Sequence, residues 1–188
     1  MNVETVMTRA PRACRPDDTL AHAAGILWDQ DCGAVPVVDG DGQAIGIVTD
    51  RDCCMAALTR GRRLEEMSVG SAMAKTLFTI RADARVADAL AAMQQHRVRR
   101  LPVVDAGGAL CGIVSMADLL NAGAAAVTPT ALLSAVAAIC APRTARTSTA
   151  PPAAAAAPKA SAAVLVPKAP AARAAAAPKK PKARARKK

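Results

Sequence analysis

Two matching groups of polar side chains in this sequence could bind the sugar and phosphate of a small molecule. Each follows the pattern glycine, two apolar residues, a hydroxyl residue, two further residues and an aspartate, which gives the pairs Thr49 with Asp52 and Ser115 with Asp118. A carboxylate accepts hydrogen bonds from two neighbouring sugar hydroxyls, and a hydroxyl beside the amides of a helix start can hold a phosphate oxygen. The same spacing is that of a capping box, in which the aspartate returns to the backbone of the hydroxyl residue. The sequence leaves both roles open for these four residues.

A basic segment precedes the second of these groups and has no equivalent before the first. Arginine presents a planar fork that binds phosphate oxygens through two parallel hydrogen bonds. We therefore predict a phosphate contact for Arg99 or Arg100, with a solvated strand edge as the alternative. For His96 and Arg97 we expect a place at a helix C-terminus, where positive charge is favourable. The matching positions of the first group carry Gln30, Asp31, Gly33 and Ala34. We therefore expect one occupied site rather than two.

The elements that position these residues come from an internal duplication at a constant offset of 66 residues. The strings that recur are Val35-Pro36-Val37-Val38-Asp39 as Leu101-Pro102-Val103-Val104-Asp105, and Gly46-Ile47-Val48-Thr49 as Gly112-Ile113-Val114-Ser115. Chance matches of apolar residues would not keep one offset without a gap, so the chain holds two copies of a unit of about 60 residues. One such unit buries too little surface to be stable alone, and we expect the two copies to pack together.

Each copy predicts the same order of elements: a helix, a strand, a tight turn, a second strand and a further helix that begins after the hydroxyl residue. The first helix has apolar residues at helical spacing, and Asp17, Asp18 and Asp83 suit the helix starts. The predicted ranges are 19–30, 34–38, 44–48 and 50–58 in the first copy. In the second copy they are a helix with Val86, Ala89, Leu90 and Met93 on its apolar face, followed by 100–104, 110–114 and 116–120. The fold class is therefore α/β, with tandem repeats related by a pseudo-two-fold axis.

Charge divides the chain into two parts. Residues 1–125 hold 13 basic and all 15 acidic residues, a net charge of −2, whereas the other 12 basic residues lie between Arg143 and Lys188 with no acid among them. After a short helix expected over 131–139, residues 142–188 consist mainly of Ala, Pro, Lys and Arg, and we predict a disordered tail. Such a cationic tail binds nucleic acid nonspecifically by releasing counterions, although a solubilising appendage is the simpler alternative.

The remaining composition points to an ordinary cytoplasmic protein without a metal. Six cysteines are scattered without a C-x-x-C pair, so we expect small buried hydrophobes rather than a zinc site or disulfides; the vicinal pair Cys53-Cys54 is also best explained by packing. The N-terminal residues lack a signal-peptide pattern, and the longest uncharged stretch, 119–142, is too rich in Ala and too interrupted for a membrane span. No nucleophile elbow or phosphate-binding glycine loop indicates an enzyme.

Residues 3–121 resemble a pair of CBS domains, in particular the stand-alone bacterial proteins that contain little else. The resemblance rests on the two recurring strings above, on Val6-Met7-Thr8, and on Val98-Arg99-Arg100 directly before Leu101-Pro102-Val103-Val104. It implies a pseudo-symmetric module of β-α-β-β-α repeats whose clefts bind AMP, ADP, ATP or a related adenosyl ligand. It also implies that Thr49, Asp52, Ser115 and Asp118 hold ribose, and that two modules form a homodimer. The final basic segment resembles the tails of histone H1-like proteins.

These observations predict four units: residues 1–66 as the first repeat with its linker, 67–122 as the second repeat, 123–141 as a short helix or linker, and 142–188 as the tail. The expected function is a regulatory module that binds an adenine nucleotide, requires no cofactor and acts on an unidentified protein. The alternative is a nucleoid-associated protein, in which the pair dimerises and the tail binds DNA. An enzyme ranks third, since it would need an active site that no motif indicates.

Overall fold

The computed structural model describes residues 1–74, 76–123 and 127–142. Within these residues the chain forms β1 (Thr8–Arg9), α1 (Leu20–Asp29), β2 (Ala34–Val38), β3 (Ala44–Thr49), α2 (Asp50–Arg60), β4 (Ile80–Arg81), α3 (Val86–His96), β5 (Arg100–Val104), β6 (Leu110–Ser115), α4 (Met116–Asn121) and α5 (Pro129–Cys140). Short 3-10 turns lie at Val3–Thr5, Leu64–Glu66 and Val69–Ser71.

The two repeats form hairpins of the same register, which confirms the predicted α/β fold of tandem repeats. Strands β2 and β3 pair antiparallel with Ala34 opposite Thr49, and β5 and β6 pair antiparallel with Arg100 opposite Ser115. The register shifts at the same point of both hairpins, next to Val38 and next to Val104. One sheet has the order β1-β6-β5-β4, and the other consists of β2 and β3. The offset of 66 residues therefore holds in three dimensions.

The segment before each repeat packs into the other repeat. Val3 is fully buried in the second core, where its amide donates to the Ala84 carbonyl at 2.9 Å. Val69 is fully buried in the first core, where its amide donates to the Asp18 carbonyl at 2.8 Å. Each leading segment therefore completes the core of the other repeat. The predicted division into residues 1–66 and 67–122 describes units of the sequence, and it stays a prediction.

The glycine of each G-h-h-[ST] string makes room for this crossing. A Cβ on Gly112 would collide with the Met7 sulfur and lie 3.1 Å from the carbonyl oxygen of Thr8, the first residue of β1. In the first repeat, a Cβ on Gly46 would lie 2.6 Å from the Met73 sulfur. The glycines are therefore required by close approach of the crossing segment rather than by an unusual backbone angle.

The predicted helix starts at Asp17, Asp18 and Asp83 are wrong by one or two residues. The N-cap of α1 is Thr19, whose hydroxyl accepts a hydrogen bond from the backbone amide three residues later at 3.1 Å. The N-cap of α3 is Arg85. Asp18 instead accepts from a backbone amide in the preceding turn, and Asp83 pairs with an arginine. Local turns compete for aspartate oxygens, so their presence near a helix start does not fix the cap.

Helix α5 lies where a helix was expected over 131–139, and it extends that range at both ends. It packs against α3, and its Ala135 is fully buried in the second core. Thr128 is its N-cap, and Pro129 occupies the first turn, where a missing amide hydrogen costs nothing. The predicted tail lies outside the described residues from Arg143 onward.

Candidate ligand-binding site

Both hydroxyl–aspartate pairs form capping boxes at the strand-to-helix junctions. The Ser115 hydroxyl accepts from the Asp118 amide at 3.3 Å and donates to Asp118 Oδ2 at 2.7 Å, and the Ser115 amide also donates to Oδ2 at 2.7 Å. The Thr49 and Asp52 pair has the same three bonds, at 3.2, 2.7 and 2.9 Å. The capping interpretation is therefore confirmed for both pairs.

The cap uses one oxygen of each carboxylate and leaves the other available. Oδ2 of Asp118 and Oδ2 of Asp52 each accept two hydrogen bonds within the cap. Oδ1 of either aspartate accepts none from the described residues. A carboxylate oxygen can accept two hydrogen bonds, so each Oδ1 can still receive two hydroxyl donors. The cap therefore leaves one oxygen of each carboxylate available for a further hydrogen bond.

A cavity of about 320 Å³ lies between the two repeats. Small-molecule sites usually measure roughly 300–1,000 Å³, so this cavity is at the small end of that range. Its walls come from the N-terminal segment, the end of α1 with the start of β2, and the strand-to-helix junction of the second repeat. The lining residues are Thr8, Pro11, Arg12, Ile26, Gln30, Asp31, Cys32, Ala34, Arg100, Ile113, Ser115 and Asp118.

Arg100 places a positive charge in this cavity beside the Ser115–Asp118 pair. It is the residue opposite Ser115 in the β5–β6 hairpin, and directly opposite residues project on the same face of a sheet. Its guanidinium crosses to the other repeat, where Nη2 lies 2.9 Å from the position that a Cβ on Gly33 would take. The side chain is half-buried and has no hydrogen-bond or ion-pair partner among the described residues. A half-buried guanidinium without a partner is suited to an anionic ligand.

The structure separates the predicted site residues into two sets. Ser115, Asp118 and Arg100 line one cavity, whereas Thr49 and Asp52 do not line it. Arg99 is exposed and does not line the cavity either; its carbonyl accepts from the first amide of α4 at 2.9 Å. Of the two arginines that the sequence left as alternatives, Arg100 is the one that lies at the cavity.

Sequence reasoning missed the cavity residues contributed by the first repeat and the N-terminal segment. Arg12 lines the cavity and forms an exposed ion pair with Asp29 at 3.6 Å. Gln30 and Asp31 line it from the turn after α1. These residues belong to no motif. Gln30 and Asp31 drew attention only because they match His96 and Arg97 at the offset of 66, and nothing in the sequence indicated Arg12.

The cysteines are free thiols of different exposure. Cys14 and Cys53 are buried in the first core, and burial raises the pKa of the Cys14 thiol to about 11 and also raises the pKa of Cys53. Cys54 is exposed. In the described part of the chain, no three His, Cys, Asp or Glu side chains are grouped as metal ligands would be. None of the helices in that part has the length and apolar character that crossing a membrane would require.

The fold and this cavity define a class: tandem α/β repeats that enclose a cavity between them. The family model of the CBS domain matches residues 3–58 and 69–125, and the chain therefore belongs to the CBS domain family. The predicted family is confirmed; the resemblance of the tail to histone H1-like proteins stays a prediction.

Individual relatives match the same part of the chain. The CBS domain-containing protein YhcV of Bacillus subtilis is 34% identical over 118 residues, which cover 63% of this chain and 82% of YhcV. The uncharacterized protein MK0525 of Methanopyrus kandleri is 32% identical over 106 residues, which cover 56% of this chain and only 54% of MK0525. The crystal structure of CBSX2 in complex with AMP is similar with a TM-score of 0.57 and 26% identity, over 64% of this chain and 94% of CBSX2.

Proposed function

We propose that this chain is a regulatory module that binds one adenine nucleotide, AMP, ADP or ATP, in the cavity between its repeats. The observation that carries the proposal is the position of Arg100, a half-buried cation without a partner among the described residues, beside the Ser115–Asp118 pair. A nucleotide combines a ribose diol with a phosphate, and the cavity combines an available carboxylate oxygen with a guanidinium. The structure of CBSX2 with AMP supports an adenosyl ligand in a protein of this fold.

Asp118 and Arg100 have distinct roles in this proposal. Oδ1 of Asp118 accepts from the ribose hydroxyls while Oδ2 keeps the cap of α4 intact. Arg100 donates to phosphate oxygens. Thr49 and Asp52 have the same cap geometry, but Ala34 stands opposite Thr49 where Arg100 stands opposite Ser115. The two pairs are therefore unequal, and the expected stoichiometry is one nucleotide per chain.

Calorimetry with AMP and ATP on matched aspartate variants tests the proposal. Asp118→Asn removes the charged acceptor, and a hydrogen bond to a charged group contributes about 1.5–3 kcal/mol, so we expect AMP to bind roughly 10- to 150-fold more weakly. Asp52→Asn makes the same chemical change in the same type of cap and should leave the affinity unchanged. Equal losses in both variants, or none in either, would show that the ligand does not lie against Asp118.

We further propose that the module forms a homodimer and acts in the cytoplasm as a regulator of an unidentified protein rather than as an enzyme. Two large apolar side chains support self-association: Trp28 on α1 and Leu58 on α2, which are 87% and 73% exposed on helices that pack together. Light scattering of the purified chain should give twice the monomer mass. Trp28→Lys and Leu58→Lys should reduce that mass to the monomer value; a monomeric wild type would refute this part.

A second function is favoured by the charge of the C-terminal segment. Residues 143–188 carry 12 basic and no acidic residues, whereas residues 1–125 carry a net charge of −2. Nonspecific binding of nucleic acid through this segment would weaken steeply with salt, because each neutralised phosphate releases counterions. A gel-shift assay should lose the complex when residues 143–188 are removed. Binding that persists without them, or that does not respond to salt, would exclude the segment as the binding site.

A further inference from the structure

Among the described residues, helix α5 has no counterpart at the offset of 66 in the chain. It is anchored at the position that matches Asp31, a residue of the open cavity. Arg97 ends α3 in the left-handed conformation, and its side chain donates from Nε to the Ala138 carbonyl at 3.2 Å and from Nη2 to the Ala141 carbonyl at 2.6 Å. The residue that matches Arg97 at the offset of 66 is Asp31, which ends the corresponding turn with φ 46° and lines the cavity. The C-terminal end of α5 is therefore held at the position that matches Asp31 at the open cavity.

At two more pairs of matching positions, the residue that lines the open cavity differs in chemical type from its match in the other repeat. Arg12 and Gln30 line the open cavity. Their matches at the offset of 66 are Phe78 and His96, whose rings stack with centroids 3.8 Å apart and nearly parallel planes. Two polar residues of the open cavity are thus matched by an aromatic contact at the equivalent positions, and aromatic stacking contributes stability beyond the area it buries.

Helix α5 is also fixed by its apolar face. Ala135 is fully buried, and Leu132 and Ile139 are partly buried against the second core, at a spacing of three and four residues that puts them on one side of the helix. Leu133, on another side, is 71% exposed. One apolar stripe and one arginine therefore hold the helix on α3.

We propose that α5 is a built-in cover that keeps the second cleft, with Thr49 and Asp52, closed, so that releasing α5 creates a second ligand site. This inference rests on the proposed function, because it assigns to Asp52 the ribose contact proposed for Asp118. Ala34 and Arg100 both line the open cavity, and the offset of 66 exchanges them, so the second cleft is expected to have the same pair.

Full-length variants that release α5 test the cover. Arg97→Ala removes two hydrogen bonds to α5, and Ile139→Asp places a charge on its inward face; Leu133→Asp adds the same charge on the exposed face and is the control. Hydrogen exchange of the α5 amides should accelerate roughly 5- to 150-fold in Arg97→Ala, as expected for two lost hydrogen bonds. It should accelerate in Ile139→Asp as well and stay unchanged in Leu133→Asp.

The ligand measurement is calorimetry with AMP and with adenosine on the same variants. Wild type and Leu133→Asp should bind one AMP per chain, and Arg97→Ala and Ile139→Asp should bind a second ligand that Asp52→Asn abolishes. Fast exchange of α5 with a stoichiometry that stays at one would overturn the proposal, as would α5 amides that remain protected in both variants. Loss of the first, Asp118-dependent site in both would show that α5 supports the whole fold and is not a cover. If wild type binds no AMP, the proposed function fails instead, and the exchange data still test the anchoring.

Discussion

Replacing Arg100 by alanine makes the second repeat identical to the first at the position opposite the hydroxyl residue. Arg100 has no hydrogen-bond or ion-pair partner among the described residues, so the variant loses no such interaction in the ligand-free protein. A phosphate contact from a charged donor contributes about 1.5–3 kcal/mol, which corresponds to an affinity for AMP that is roughly 10- to 150-fold lower. The melting temperature should stay at or near the wild-type value.

Two controls distinguish a direct phosphate contact from a general effect of charge and from a change in the shape of the cavity. Arg99→Ala removes the same charge one residue away from an exposed side chain, so a general electrostatic effect would weaken AMP binding in both variants. Adenosine lacks the phosphate, and its affinity for the first site should not change in Arg100→Ala. The assay is calorimetry at one fixed ionic strength, because screening weakens all charge interactions. Equal loss in the Arg99 and Arg100 variants, or equal loss for adenosine and AMP, would refute the assignment of Arg100.

Three further results are expected. Ser115→Ala removes the acceptor of the α4 cap and should lower the free energy of unfolding by about 1 kcal/mol in urea titrations; an unchanged midpoint would contradict the cap. Val3→Ala should cost about 2 kcal/mol because the side chain is fully buried in the second core, while Glu4→Ala, at an exposed position, should cost little. Iodoacetamide at pH 8 should modify exposed Cys54 before Cys14, because burial raises the pKa of the Cys14 thiol to about 11. The neutral Cys14 thiol stabilises the fold below about pH 9. This contribution is lost as the pH rises through about 11. Equal labelling rates of the two thiols would contradict the burial of Cys14.

The hairpins and the caps were predictable because the information for them is local and occurs twice. Hairpin strands 34–38 and 100–104 have the predicted bounds, and the second strand of each hairpin is one residue longer than predicted. Each capping box uses residues three apart in the chain, so its spacing appears directly in the sequence. Because each pattern occurs in both repeats, the element predicted from one copy can be compared with the element predicted from the other.

The cavity was predictable only in part because half of its wall comes from residues far apart in sequence. Arg12 and Asp118 line one cavity although more than 100 residues separate them along the chain. No local pattern predicts that the N-terminal segment crosses to the second repeat, since β1 has only two residues, Thr8 and Arg9. The choice between Arg99 and Arg100 also needed the register of β5, because neighbouring strand residues face opposite sides of a sheet.

The duplication gives two caps of the same geometry, and the proposed function assigns a nucleotide to only one of them. A cap fixes the position of its carboxylate for structural reasons, so Asp52 and Asp118 are held in the same geometry whether or not a ligand uses them. The residue opposite the hydroxyl is not constrained by the cap, and it differs between the repeats: alanine at 34 and arginine at 100.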